Sequence, residues 1–374
     1  MNEKTKISFA RRNPSRETVA GLDEASLAEV LELSGRKLQD FPQDKECVVD
    51  VKMNGTAKEK RQLSHLINEM CKSEYGKQVI ETAKKNDYTF QFDLSIPDAY
   101  GFADPDGKVC AMNPTFSTDD LISTMAHELR HVYQFSFPVC DRCNPLEADA
   151  KSNLMLTRTM EADASAYECL TSWDLKEKGI AGAWNNFSRD FPEIAKPFEK
   201  AMIENEGKPD QIAKARTAAF DGWFDNLPRR VGYDESYLDC LKENGPKSLS
   251  SSLKSFGADE MIGAFCQENG VSYYLDDPKK FESDYLVATS QKNKDDLKKF
   301  FSSYNRLSGN AKETSLQEIP ALEKMELPAS VARSLPAKAA AIEAKQEHAK
   351  AVIAEKRAAK PSPAFIRFAS DRSR

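Results

Sequence analysis

His127-Glu128-Leu129-Arg130-His131 is the stretch from which this chain of 374 residues is best read. Side chains four residues apart on an α-helix share one face, so His127 and His131 can hold one metal ion between them. Glu128 then stands near enough to act on a bound water. Only four histidines occur in the whole chain, and two of them are here. The alternative is an amphipathic helix with two unrelated histidines, and the intervening Glu argues against it. The flanks also read as helix. Ser117 and Asp120 form a variant capping box, and Asp119 adds negative charge to the first turn. Leu121, Met125, Leu129 and Val132 recur at helical spacing, and Phe137-Pro138 marks a stop around or soon after Phe135.

A catalytic zinc takes three protein ligands and keeps a fourth position for water. The third ligand belongs on a separate element that packs against the first helix. Leu146 to Lys178 reads as a long helix ended by Gly179, and it carries Met160-Glu161-Ala162-Asp163-Ala164-Ser165-Ala166. Glu161 is the candidate ligand, because Ala164 and Ser165, one turn further on, are small enough to let two helices approach. Asp163 is the competing ligand, or an acceptor that orients a histidine through its second ring nitrogen. The expected cofactor is one Zn2+ per chain.

HELRH followed by Glu161-Ala162-Asp163-Ala164 resembles the zincin metallopeptidases whose third zinc ligand is a glutamate. More narrowly, Met112-Asn113-Pro114, Ala126 to His131 and Glu161 to Ala164 resemble an uncharacterised bacterial family of metallopeptidase domains. The resemblance covers about residues 88–178. It implies a zincin-like α+β fold, mostly helical, with a small antiparallel sheet packed on the HExxH helix. It also implies hydrolysis of peptide bonds in a peptide or protein substrate. The third histidine of metzincins is absent. Ser165 stands where some glutamate zincins carry Asp, which leaves the partner of the histidines open.

The chemistry of such a site is specific. Zinc lowers the pKa of bound water from about 15.7 to near 7 in favourable sites. Glu128 would accept a proton as that water attacks a carbonyl and pass it to the leaving amine. A donor for the developing oxyanion is also expected. Tyr100, Tyr233 and Arg230 are the candidates, and the sequence does not choose among them. Tyr88 to Leu94 alternates as a strand. Tyr100–Ala103 and Lys108–Met112 flank the turn Asp104-Pro105-Asp106-Gly107, which predicts a hairpin. In zincins an edge strand before the active-site helix pairs with substrate backbone; Lys108–Met112 is either that strand or an ordinary member of the sheet.

Composition sets wider limits. Hydrophobic residues at 40% and charged residues at 30% describe a soluble globular protein, with no apolar run long enough for a membrane span. Met1 to Gly21 lacks the apolar segment of a Sec-type signal, so cytoplasmic residence is the simplest expectation, with signal-independent export left open. Helices are expected over 18–39, 56–85, 192–206, 209–226, 233–244, 257–268 and 291–307. The expected divisions are an N-terminal segment at 1–50, which could be inhibitory, and the metallopeptidase domain at 51–275. A helical extension at 276–332 and an Ala/Lys/Glu-rich basic tail at 333–374 follow. That tail holds 10 Lys and Arg against 4 Asp and Glu. It reads as a solvated appendage rather than a nucleic-acid arm. Cys140 and Cys143 lack a second pair nearby and read as free thiols in a loop, with a local disulfide or accessory metal as alternatives. Two other functions stay open: a non-catalytic interaction protein that keeps the fold, which the intact Glu128 argues against, and a zinc hydrolase of non-peptide amides.

Overall fold

Strand β1 (Lys52–Met53) is followed by helices α1 (Ala57–Met70) and α2 (Glu74–Lys85) before strand β2 (Thr89–Phe92) is reached. A connection of that length crosses over, and β1 and β2 run parallel. The computed structural model describes residues 37–94, 99–136, 147–250, 252–308 and 318–325. The helix expected over 18–39 (all but its last three residues), the Cys140–Cys143 unit and the 333–374 tail lie outside the described residues.

After β2 come β3 (Gly101–Asp104) and β4 (Val109–Met112). The Asp104 carboxylate closes their hairpin by accepting the N–H groups of Asp106 at 3.0 Å and Gly107 at 3.1 Å. Strand β4 lies between β2 and β3, parallel to the first and antiparallel to the second, in the order β1-β2-β4-β3. The sheet is therefore mixed rather than antiparallel, because the chain leaves β2 for the outer position and returns to fill the gap. The same topology decides between the two readings of Lys108–Met112. Lys108–Met112 contributes β4, which is paired on both sides, whereas Gly101–Asp104 is the edge. At Gly101 a Cβ would lie 2.7 Å from the Ala111 carbonyl oxygen and 2.8 Å from Met112 Cε, so only glycine fits.

Helix α3 (Thr118–Ser136) carries the HExxH run. Its start is the predicted box: Ser117 Oγ accepts the Asp120 N–H at 3.2 Å, and the Asp120 carboxylate accepts the Ser117 hydroxyl at 2.6 Å. The run expected over 56–85 breaks at Lys72-Ser73. There Asp174 accepts the Ser73 hydroxyl at 2.8 Å and the Glu74 N–H at 3.0 Å, tying the start of α2 to α4 (Ala150–Glu177). Helix α4 is buried around nearly its whole circumference. A helix of that kind forms the middle of a protein rather than its surface.

The remaining helices wrap α4, namely α5 (Gly182–Asp190), α6 (Pro192–Glu204), α7 (Gln211–Asp225), α8 (Leu227–Asn244), α9 (Ala258–Phe265) and α10 (Asp284–Val287), while α11 (Gln291–Ser308) packs outside them on α8, and a hairpin of β5 (Gln267–Glu268) and β6 (Val271–Ser272) follows α9. Helix α8 starts six residues earlier than its apolar pattern predicts. Asn226 caps it by accepting the Arg229 N–H at 3.2 Å, and Pro228 sits in its first turn, where its fixed φ favours helix. That early start puts Arg229 and Tyr233 on one helix, one turn apart.

Two large apolar cores result among the described residues. One holds Leu66, Ile67, Phe90, Met112, Met125 and Leu129 between the sheet and α1 to α3. The other runs from Leu154 and Leu170 on α4 through Phe220 and Trp223 to Leu297 and Phe301 on α11. Where α6 crosses α7, a Cβ at Gly222 would stand 2.1 Å from the Glu193 carbonyl oxygen. No helix among the described residues is long and apolar enough to cross a membrane.

Candidate metal centre

Helices α3 and α4 pack closely face to face, with the small, fully buried Ala164 one turn from Glu161 on α4. That close approach brings His127, His131 and Glu161 together. His131 Nε2 lies 3.1 Å from His127 Nε2, His127 Nε2 lies 3.2 Å from Glu161 Oε2, and His131 Nε2 lies 3.5 Å from Glu161 Oε1. A tetrahedral site with bonds of about 2.0–2.1 Å separates neighbouring ligand atoms by about 3.3–3.4 Å. The triangle has the size that one such ion requires. Two ring nitrogens directed at each other at this distance repel unless a cation or a proton lies between them.

The outer nitrogens determine which tautomers are held. His127 Nδ1 faces Glu168 Oε2 at 3.2 Å, and Glu168 also accepts the Ser123 hydroxyl. A carboxylate can only accept, so Nδ1 carries the proton. His131 Nδ1 faces the Gln134 side-chain oxygen at 2.8 Å. The Gln134 amide nitrogen donates to the Met160 carbonyl at 3.0 Å and to Asp163 at 2.8 Å, which fixes that amide with its oxygen toward His131. Both histidines are thus oriented to present Nε2 to the triangle. In the metal-free protein, burial opposes a charge on His127, but hydrogen bonds to and charges on Glu161 and Glu168 overcome it and raise its pKa to about 10. Burial likewise opposes ionisation of Glu161, yet the two histidines and Arg229 lower its pKa to about 2.

Glu128 projects sideways from this face. Burial raises its pKa against the opposing pull of His127 and His131, and its carboxylate accepts the backbone N–H of Ala103 on β3. The Tyr233 hydroxyl hydrogen-bonds Glu161 and lies close to Arg229, with Glu128 near enough to perturb it. Burial, helped by these acids, pushes its pKa up. Arg229 donates through Nη2 to Ser165 Oγ at 3.2 Å, and its guanidinium stacks over the Phe191 ring at 4.1 Å.

The other sequence candidates lie elsewhere. Asp163 contacts neither histidine directly. Its carboxylate takes Arg130 Nε at 2.7 Å and Nη2 at 3.0 Å, the Tyr273 hydroxyl at 2.7 Å, and Gln134, through which it reaches His131. Arg130 in turn meets Glu268 at 3.1 Å, tying α3 to the β5–β6 hairpin. Arg230 is turned away, donating to the carbonyls of Phe224 at 3.2 Å and Tyr285 at 3.1 Å. Tyr100 stacks on Phe116 at 3.9 Å and is 42% exposed, so its ring is committed outside the triangle. Sequence reasoning missed Glu168, Gln134 and Arg229. Glu168 was the most findable, since it follows Glu161 by seven residues, two turns along the same face of α4.

Residues 41–274 match the model of a family described as "Putative metallopeptidase family (DUF6782)". No curated protein and no solved structure matches the chain.

Proposed function

Because the chain belongs to that metallopeptidase family, we propose that it is a zinc-dependent peptidase of the zincin type, with His127, His131 and Glu161 as ligands and Glu128 as general base. The observation that carries this reading is the convergence of one carboxylate and two Nε2 atoms at ligand spacing. Two imidazoles and a carboxylate are a donor set suited to zinc with one position left open. A zinc ion there would supply Lewis acidity toward the carbonyl and toward water.

The chain's own groups do the rest. Glu128 takes the proton of the attacking water and returns it to the departing amine. Its partly buried position raises its basicity toward that of a general base. Tyr233 turns its hydroxyl from Glu161 to the carbonyl oxygen as charge builds there. Glu168 and Gln134 hold the two imidazoles in place.

The edge strand β3 aligns the substrate. Asn113 N–H donates to the Tyr100 carbonyl at 2.8 Å, so the antiparallel alternation turns Phe102 and Asp104 toward β4 and leaves the backbone groups of Gly101 and the carbonyl of Ala103 facing outward, the Ala103 N–H being taken by Glu128. An extended peptide adds to that edge, its scissile carbonyl near Glu128. Residues 51–275 form the metallopeptidase unit in this reading, and the described residues after it, 276–308 and 318–325, wall its larger core.

The test is a pair of variants. Glu128→Gln keeps its zinc and stops cleaving unstructured peptides, whereas His127→Ala loses both. A Glu128→Gln protein that cleaves as fast as wild type would sink the mechanism.

A further inference from the structure

Arg229 differs from the other buried arginines in what it pairs with. Arg130 holds Asp163 and Glu268, and Arg158 holds Asp234 at 2.6 Å together with three backbone carbonyls. Arg216 meets Glu268 at 2.9 Å, and Arg230 holds two carbonyls. The hydrogen bond that Arg229 makes with good geometry goes to the neutral Ser165 hydroxyl. Its Nε and Nη1 are shielded from solvent and find no hydrogen-bond partner among the described residues. The anions that act on it, Glu161 and Glu168, are the ones the histidines already engage, and a buried guanidinium whose Nε and Nη1 donate to nothing is costly to keep.

Its place in the fold indicates what those donors would take. Ser165 follows Glu161 by four residues, about 6 Å along the helix axis. An extended peptide advances about 3.3 Å per residue. The Arg229 head therefore stands one to two residues from the carbonyl that would react near Glu161. In a peptide main chain, an anion that close to the scissile bond occurs only at the C-terminus, on the side of the leaving amine. The other terminus is an ammonium, which Arg229 repels. The stack on Phe191 holds the guanidinium plane, so little ordering is left for the ligand to impose.

We propose that Arg229 docks a substrate carboxylate one to two residues from the scissile bond, so that the favoured substrates are peptides bearing a free carboxylate there. This rests on the peptidase reading. The carboxylate comes either from the chain end or from an Asp or Glu side chain beside the cleaved bond, and the experiment separates the two.

Zinc-loaded full-length protein is given a randomised pentapeptide pool prepared as free acids and, separately, as C-terminal amides, with products read by mass spectrometry. Wild type is expected to cleave the acids on the order of 100-fold faster than the amides. Arg229→Met, with unchanged zinc content, brings the two pools within about threefold, and Arg229→Lys restores part of the preference. A preference that instead follows Asp or Glu beside the cut in both pools, and vanishes in Arg229→Met, assigns the carboxylate to the side chain. Binding is read apart from turnover by equilibrium dialysis of the same pools against Glu128→Gln, alone and combined with Arg229→Met. Equal cleavage of both pools with no acidic preference overturns the inference and leaves the peptidase reading standing. Cleavage of neither pool contradicts the peptidase reading, and an acid pool that binds no better than the amide pool then overturns the inference as well.

Discussion

Replacing Glu168 by Gln removes one negative charge from behind His127 while keeping the side chain's length and an oxygen to accept from Nδ1. The contact is buried, with Glu168 only 5% exposed, and the ring nitrogen stands 3.2 Å from the carboxylate. Removing such an outer partner of a metal-bound histidine typically weakens metal affinity by about 10- to 100-fold, or roughly 1.4–2.7 kcal/mol. Here the lower end applies. The variant gives His127 the neutral amide partner that His131 already has in Gln134, so orientation survives and only the charge is lost. Glu168→Leu goes further, because it leaves the Nδ1 proton and the Ser123 hydroxyl without their acceptor, and it belongs at the upper end. The assay is zinc competition against a fluorescent chelator at fixed pH. An affinity for Glu168→Gln within twofold of wild type, or Glu168→Leu no weaker than Glu168→Gln, would refute the reasoning.

Further outcomes follow from other parts of the structure. Asp163→Ala takes the two-point carboxylate from buried Arg130, leaving Glu268 as its acidic partner, and should cost about 3 kcal/mol in urea unfolding, whereas Glu161→Ala should fold but hold no zinc; equal stabilities would refute the separation of roles. In the metal-free protein His127 has a pKa of about 10 and is protonated at pH 8, so zinc binding there must expel about one proton. Calorimetry in buffers of different ionisation enthalpy reads that proton, and zinc affinity should rise with pH until it passes about 10. The same raised pKa means that His127 stabilises the metal-free fold fully below its ordinary value near 6.5, and that this contribution is lost as pH climbs through about 10. Gly222→Ala forces a methyl into the Glu193 carbonyl and should destabilise by about 3 kcal/mol, while Gly263→Ala, in open space on α9, should stabilise by about 0.5–1 kcal/mol.

The parts legible in the sequence are those with local causes. The capping box at Ser117 and Asp120, the stripe from Leu121 to Val132 and the turn at Asp104 to Gly107 each depend on neighbours within a few residues, and each lies where the pattern places it. His127 and His131 share a face for the same reason. What stayed hidden depends on distant partners. The mixed pairing of β4 follows from the route the chain takes around the sheet, which no period-2 pattern encodes. Asp163 reads as a possible ligand until Arg130 and Tyr273, the latter 110 residues away, are seen to claim it. Which of the two neighbouring arginines, Arg229 or Arg230, meets Ser165 is a matter of phase. One residue on a helix turns a side chain by about 100°, and the early start of α8, set by the Asn226 cap, decides which arginine meets Ser165.

The central claim is that His127, His131 and Glu161 together hold one zinc ion. Elemental mass spectrometry of protein purified without chelators measures this directly, with wild type compared against His131→Ala and Glu161→Ala. The account predicts about one zinc per wild-type chain and close to none in either variant, with all three proteins folded. Wild type that stays metal-free when zinc is supplied, or a Glu161→Ala protein that keeps a full complement, would contradict it.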